Sequence, residues 1–336
     1  MHARTALRGT LAFAAALLLS TAAQAQLFRA YLAINGSDTN PCTLPQPCRL
    51  LPAALNAVAS GGEIWMLDSA NYNTATVNVT KSVTILAVPG VVGSVVATGG
   101  PAINIATPAV RVTLRNLVLV PLPGAGGTRG VQMTAGIGLA VEGSVIANMP
   151  AEGILVFGNA HVRITDSVIR DSGTIGVHLE DGPQATINRS TIANSGGSGV
   201  YVSGNTASTL TTAEVADSTL VGNYSHVFVS TVQEGAAVRA TVRESRLSRS
   251  TIALSVQSAG AAADLAVSSC QISGSVYGIY ASGAGVRVIA GGNAVTHNTW
   301  GFYNADAGPL FESAGSNVVR HNTTNTFGTI TPAGTI

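Results

Sequence analysis

The sequence predicts an all-β fold, a parallel β-solenoid of stacked turns, and three observations carry that prediction. A four-residue phrase recurs as NLVL, GSVI, DSVI, RSTI, DSTL, ESRL, SCQI, GNAV and SNVV, and its last apolar residue falls at Leu119, Ile146, Ile169, Ile192, Leu220, Leu247, Ile272, Val295 and Val319. The steps between these anchors run from 23 to 28 residues with a mean of 25, and a fixed period of this length marks a repeat architecture. Apolar residues also stand five positions before each anchor and seven positions before the first eight, as in Ile187 and Ala185 or Val242 and Ala240, with mostly polar residues between them. That period-2 alternation is the mark of a strand with one buried face. Between the strands lie turns rich in Gly, Asn and Ser, with no helical periodicity in the repeats. A leucine-rich repeat shares the period but needs a helical segment and an LxxLxL phrase, and neither is present.

The elements follow in chain order. Residues 1–25 read as a signal peptide: Arg4 and Arg8 form a positive start, Leu11–Leu19 a short apolar core, and Ala23-Gln24-Ala25 a small-x-small cleavage site. This predicts a secreted or periplasmic protein with no membrane span after cleavage. The whole chain carries 17 Lys+Arg against 16 Asp+Glu, a formal charge of +1. Charged residues make up only 10% of it, against about 25% in an ordinary soluble domain. Low charge on an apolar chain excludes disorder, and near-neutrality argues against nucleic acid as a partner. Cys42 and Cys48 lie close together in a proline-rich loop, where an oxidising compartment would let them pair. A zinc site is the competing reading, but no further Cys or His pair stands nearby to complete four ligands.

Within the repeats, Ser144, Ser167, Ser190, Ser218, Ser245, Cys270, Asn293 and Asn317 stand two residues before successive anchors. Small polar groups in such a column suit an inward ladder at a strand bend, each bonding a neighbour or the backbone. Cys270 is then a small buried thiol. A second set, Asn148, Asp171, Asn194, Asn223, Asn298 and Asn322, follows the anchors and reads as a ladder of turn residues.

From Tyr31 to Asn322 the chain resembles the right-handed parallel β-helix proteins of the pectate-lyase-like superfamily. The entry segment Tyr31–Leu67, with its Gly-Ser-Asp phrase and proline, and the phrase TKSVTILAVPG, Thr80–Gly90, carry the resemblance most specifically. The resemblance implies right-handedness and a short helix at about Leu50–Ala59 capping the first turn. The organisation is then a cap at 26–62 and a β-helix at 63–336. It also implies polysaccharide as the substrate or ligand class. Three family activities lack their motifs here: there is no carboxylate cluster for calcium, no Arg-Ile-Lys phrase, and no Asp-Pro-His phrase. Lys81 is the only lysine, and its place in the first-turn phrase makes it structural. Neither a cofactor nor a metal is expected.

A short strand seven or eight residues after most anchors presents the column Gln132, Leu155, His178, Tyr201, Phe228, Ser255, Tyr280 and Tyr303 to solvent. Tyr201, Phe228, Tyr280 and Tyr303 are the candidate glycan-binding residues, although aromatic residues also favour strands and stack on one another. His178 and Glu180 share the outward face of one strand, and Arg163 lies earlier in the same repeat. These three are the candidate acid–base residues. The weak charge inventory favours a non-catalytic glycan-binding or scaffold protein. The alternative is an enzyme that cleaves or epimerises an acidic polysaccharide.

Overall fold

Strands that are apolar on one face and spaced by about 25 residues bury that face by stacking turn upon turn. A computed structural model describes residues 26–333 of the chain and contains this stack; the signal peptide expected at 1–25 lies outside the described residues. All strand pairs of the stack are parallel, and they form a 13-stranded sheet and two 11-stranded sheets. Each sheet takes every third strand in chain order, so one turn visits the three sheets once, and the 11-stranded sheets define eleven turns. One turn reads Gln184–Asn188 in the first sheet, Thr191–Ala193 in the second and Ser198–Gly204 in the third. Neighbouring turns sit about 4.8 Å apart.

The inward columns match the expected alternation. Val162, Ile164, Ala185, Ile187, Ala213, Val215, Val242 and the anchors Ile169, Ile192, Leu220 and Leu247 are all buried in one continuous core. Each fully buried aliphatic side chain contributes about 1.5–3 kcal/mol.

The strand bend differs from the sequence picture in one respect. What reads as one bent strand is two strands on different sheets, split by a residue with left-handed backbone. Asp166, Arg189, Asp217 and Glu244 occupy this position, with φ between 46° and 52°. The next residue is the ladder: the N–H groups of Ser144, Ser167, Ser190 and Ser218 each donate to the Oγ one turn on, at 3.2 Å. Further along, Cys270 donates its N–H to Asn293 Oδ1 and Asn293 donates to Asn317 Oδ1, both at 2.9 Å. Cys270 is buried and free, and burial pushes its thiol up to about 11.

The second polar set separates into two columns. Asn148, Asp171 and Asn194 are the left-handed residues of the second bend. Asn223, Asn298 and Asn322 stand one position later and point inward, accepting the N–H groups of Ser195, Ser275 and Asn298 at 2.9, 3.0 and 2.9 Å. A one-residue offset moves a side chain from the turn surface to the interior, so grouping the six residues together merged two environments.

At the start of the chain, Leu27–Leu32 pairs with Val58–Met66 in the first sheet. Between them lies a helix, Leu51–Ala57, shorter than the expected Leu50–Ala59. Leu50 and Val58 are both extended, and Val58 begins the next strand, so the helix is limited to two turns. Leu51, Ala54 and Leu55 bury against the core. Cys42 and Cys48 form a disulfide with their Cα atoms 4.6 Å apart, which removes the zinc alternative. Lys81 Nζ donates to Val58 O at 2.8 Å, a structural contact just past the helix.

Candidate functional site

In-register parallel pairing places equivalent side chains one turn apart, a spacing close to that of stacked rings. The outward column of the third sheet therefore stacks in the order expected. Tyr201 pairs with His178 on one side and Phe228 on the other, and Tyr280 pairs with Tyr303. Ring centroids are 4.8 Å apart for His178–Tyr201, 4.9 Å for Tyr201–Phe228 and 5.5 Å for Tyr280–Tyr303, with planes 18°, 9° and 8° apart. The rings thus spend their faces on one another and present edges to solvent. Ser255 interrupts the column and is 1% exposed, with Gln257 Nε2 donating to its Oγ at 3.1 Å.

The stack has two ends. At the C-terminal end, Tyr277, Trp300 and Phe327 complete an aromatic cluster that the column alone did not reveal. Tyr277 meets Tyr280 and Tyr303 edge-on, Trp300 meets Tyr303 and Phe327 edge-on, and Phe327 stacks on Tyr303 at 4.6 Å. The available signal was the offset of three residues, Tyr277 to Tyr280 and Trp300 to Tyr303, repeated in successive turns. Phe327 is 44% exposed.

The N-terminal end is polar. His178 Nε2 lies 3.1 Å from Ser203 Oγ and 3.9 Å from Glu180 Oε2, and His178 Nδ1 lies 4.0 Å from Glu152 Oε1. His178 Nδ1 is buried without a hydrogen-bond partner. Glu180 accepts from Asn205 Nδ2 at 2.8 Å. Glu152 stands in the turn before Ile154–Phe157, where strand periodicity gives no hint of it. The nearby His178 ring and the Arg129 guanidinium hold the Glu152 carboxyl down to about 2, against the burial that would raise it. The His178 contact is long for a hydrogen bond, whereas Arg129 Nε lies 2.5 Å away, so Arg129 is the closer anchor. Phe157, paired in register with Glu180, is 43% exposed beside these groups. Burial raises the Tyr201 phenol above its ordinary value.

Arg163 is not part of this arrangement. It points outward from the first sheet, where it pairs with Glu142. Sequence proximity within one repeat placed it near His178, but each repeat is a closed turn, and its first and third strands face different sides of the stack. Asp181 is a clamp, its carboxylate accepting Asn205 N–H at 2.6 Å and Thr206 N–H at 3.0 Å. Among the described residues, no group of three or more His, Cys, Asp or Glu has the arrangement to hold a metal ion.

With fold and site described, comparison with known proteins bears on the class. The family described as a right handed beta helix region matches residues 112–252. No curated protein matches the chain. A pectate lyase, Pel9A, superposes with TM-score 0.52 and 14% identity over 91% of this chain and 79% of its own. Tailspike protein 2 of bacteriophage CBA120 superposes with TM-score 0.57 and 9% identity over 83% of this chain and 48% of its own. A GH136 lacto-N-biosidase from Eubacterium ramulus gives TM-score 0.54 and 10% identity over 91% of this chain and 67% of its own. At identities this low, the superpositions show a shared fold alone. The chain has a parallel β-helix fold, and its residues 112–252 match the right handed beta helix region.

Proposed function

We propose that this is an exported, non-catalytic glycan-binding protein, and that the third sheet's outer face is its contact surface. The observation that carries this is the exposed Phe157 ring, paired in register with Glu180 and standing in the column next to the one in which His178 stacks on Tyr201. A free aromatic face takes the apolar face of a sugar ring. The phenol, amide and carboxylate groups of Tyr201, Asn205 and Glu180 take its hydroxyls. Rings locked by stacking lose little entropy on binding. Tyr280, Tyr303 and Phe327 offer a second patch of the same kind. The signal-peptide pattern and the Cys42–Cys48 disulfide support export. The helix Leu51–Ala57 serves as the lid of the first turn, since solenoids need capped ends.

Glu152 argues for binding over cleavage. A general acid needs a carboxyl raised towards neutrality, whereas this one is ion-paired with Arg129, which favours its charged form. Binding is tested by titrating a panel of soluble polysaccharides against the full chain and its Phe157→Ala and Tyr201→Ala variants. A ligand that loses at least tenfold affinity with either variant supports the assignment, and unchanged binding by both overturns it.

One observation favours an enzymatic reading. An imidazole with a buried, unpartnered Nδ1 stands between two carboxylates, Glu152 and Glu180, an arrangement able to move a proton at a sugar carbon or glycosidic oxygen. New reducing ends or unsaturated products that disappear in Glu180→Gln would establish it, and turnover unchanged by that variant would remove Glu180 from any mechanism.

A further inference from the structure

A cleft of about 730 Å³ lies elsewhere, along the outer face of the first sheet. Its origin is visible in the strand registers. The central outward column runs Thr113, Ala140, Arg163, Thr186, and the column beside it runs Arg111, Gly138, His161, Gln184. Gly138, Ala140, Thr113 and Thr186 are small and leave a hollow floor. Arg111, His161 and Arg163 stand at its rim, and a Cβ on Gly138 would come within 3.3 Å of Arg111 Nη1, so the guanidinium lies over that bare position.

The rim is electropositive. The cleft lining holds Arg111, Arg163 and Arg239, the last paired with Asp264 at 3.2 Å, and its one acidic residue, Glu214, is paired with Arg243. Glu142, just outside it, is shared between Arg115 and Arg163, so two guanidinium groups have one carboxylate. Arg111 has no carboxylate within ion-pair distance among the described residues, and Arg163 keeps 56% of its side chain exposed. Arg111 and Arg163 are two turns apart, about 10 Å along the stack. Guanidinium groups so spaced suit planar, bidentate contact with successive oxyanions. No Phe, Tyr or Trp lines the cleft, so it lacks the stacking platform of such rings that single-stranded nucleic acid uses. Its threonine hydroxyls and Gln184 amide match sugar hydroxyls.

We infer that the first sheet carries a second ligand surface, an anion-binding cleft centred on Arg111 and Arg163 that takes a carboxylate- or sulfate-bearing segment of an acidic glycan. This surface is separate from the third-sheet face and does not rest on the function assigned there.

The test is affinity electrophoresis of the full chain through gels containing polygalacturonate, heparin or dextran, with a single-stranded oligodeoxynucleotide as a fourth probe. Retardation by an acidic glycan and not by dextran, relieved by added salt, is the expected result. Polygalacturonate alone would identify a carboxylated ligand, heparin alone a sulfated one, and either supports the cleft. Arg111→Glu combined with Arg163→Gln should weaken retardation at least tenfold without changing the melting temperature. If that double variant does not fold, Arg111→Gln, an exposed change that breaks no ion pair, takes its place. Equal mobility in acidic and dextran gels overturns the proposal, as does full retardation of a folded variant or tighter retention of the oligonucleotide than of either glycan. Loss of acidic-glycan retardation in Tyr201→Ala but not in Arg111→Glu would also overturn it, by moving that ligand to the third sheet.

Discussion

Replacing His226 with alanine should flatten the loss of stability that this protein suffers between neutral pH and pH 4.5. His226 is 0% exposed in the core behind the third sheet, between the turns that carry Gly199 and Ala253. Its Nδ1 lies 3.1 Å from Asn223 Nδ2, whose amide can only donate, and Nε2 is buried without a partner. That environment holds the neutral ring, and burial lowers its pKa from the ordinary 6.5 to about 4. The unfolded chain therefore takes up a proton below pH 6.5 that the folded chain refuses until about pH 4. Stability is complete above 6.5 and declines as the pH falls through this window. At about 1.4 kcal/mol per pH unit, the gap is worth about 3.4 kcal/mol in full and about 2.6 kcal/mol by pH 4.5. Measurement stops at pH 4.5 because the contribution of Glu152, whose ordinary value is 4.5, is lost mainly as the pH falls below that towards about 2. Denaturant midpoints at pH 7.0, 6.0, 5.0 and 4.5 make the measurement. The alanine variant will be weaker at pH 7 because a cavity replaces the ring, but its midpoint should vary little with pH. A variant whose midpoint falls as steeply as the parent's would refute the assignment of the acid limb to His226.

Three further outcomes are expected. Ser218→Ala removes the acceptor of Ser190 N–H and strands a buried donor, so it should cost about 1–3 kcal/mol by denaturant unfolding; a neutral result would contradict the ladder. Ile187→Asp buries a charge at a position that is 0% exposed and should cost more than about 4 kcal/mol or prevent folding, and an unchanged thermal melt would refute the column assignment. Mass spectrometry of unreduced protein should find Cys42 joined to Cys48, with Cys270 inert to thiol reagents until denaturant is added, because that thiol is buried and raised to about 11. Rapid labelling of Cys270 in the native protein would contradict its place in the ladder.

The fold was more legible than the site. A strand column repeats in register, so each alternation confirms the next, and the outward order from His178 through Tyr303 could be written down before any coordinates. The Ser ladder was legible for the same reason. The merged Asn and Asp set shows the limit: bends vary by one residue, and Asn serves both the left-handed turn and the inward ladder. Glu152 and Arg129 were missed because they sit in the turn before the third-sheet strand, where no period selects them.

The sequence by itself determined the period, the buried columns and the stacking partners, because all of these follow from repetition and alternation along the chain. Only the tertiary structure decided which side of the turn each strand faces. That is why Arg163 left His178 and joined a cationic cleft with Arg111, while Glu152 came from the preceding turn to lie beside the imidazole. The physical reason is closure: three sheets with different outward directions share each repeat. Residues one turn apart in the stack therefore meet at about 4.8 Å, while residues a few positions apart in sequence are carried to opposite faces.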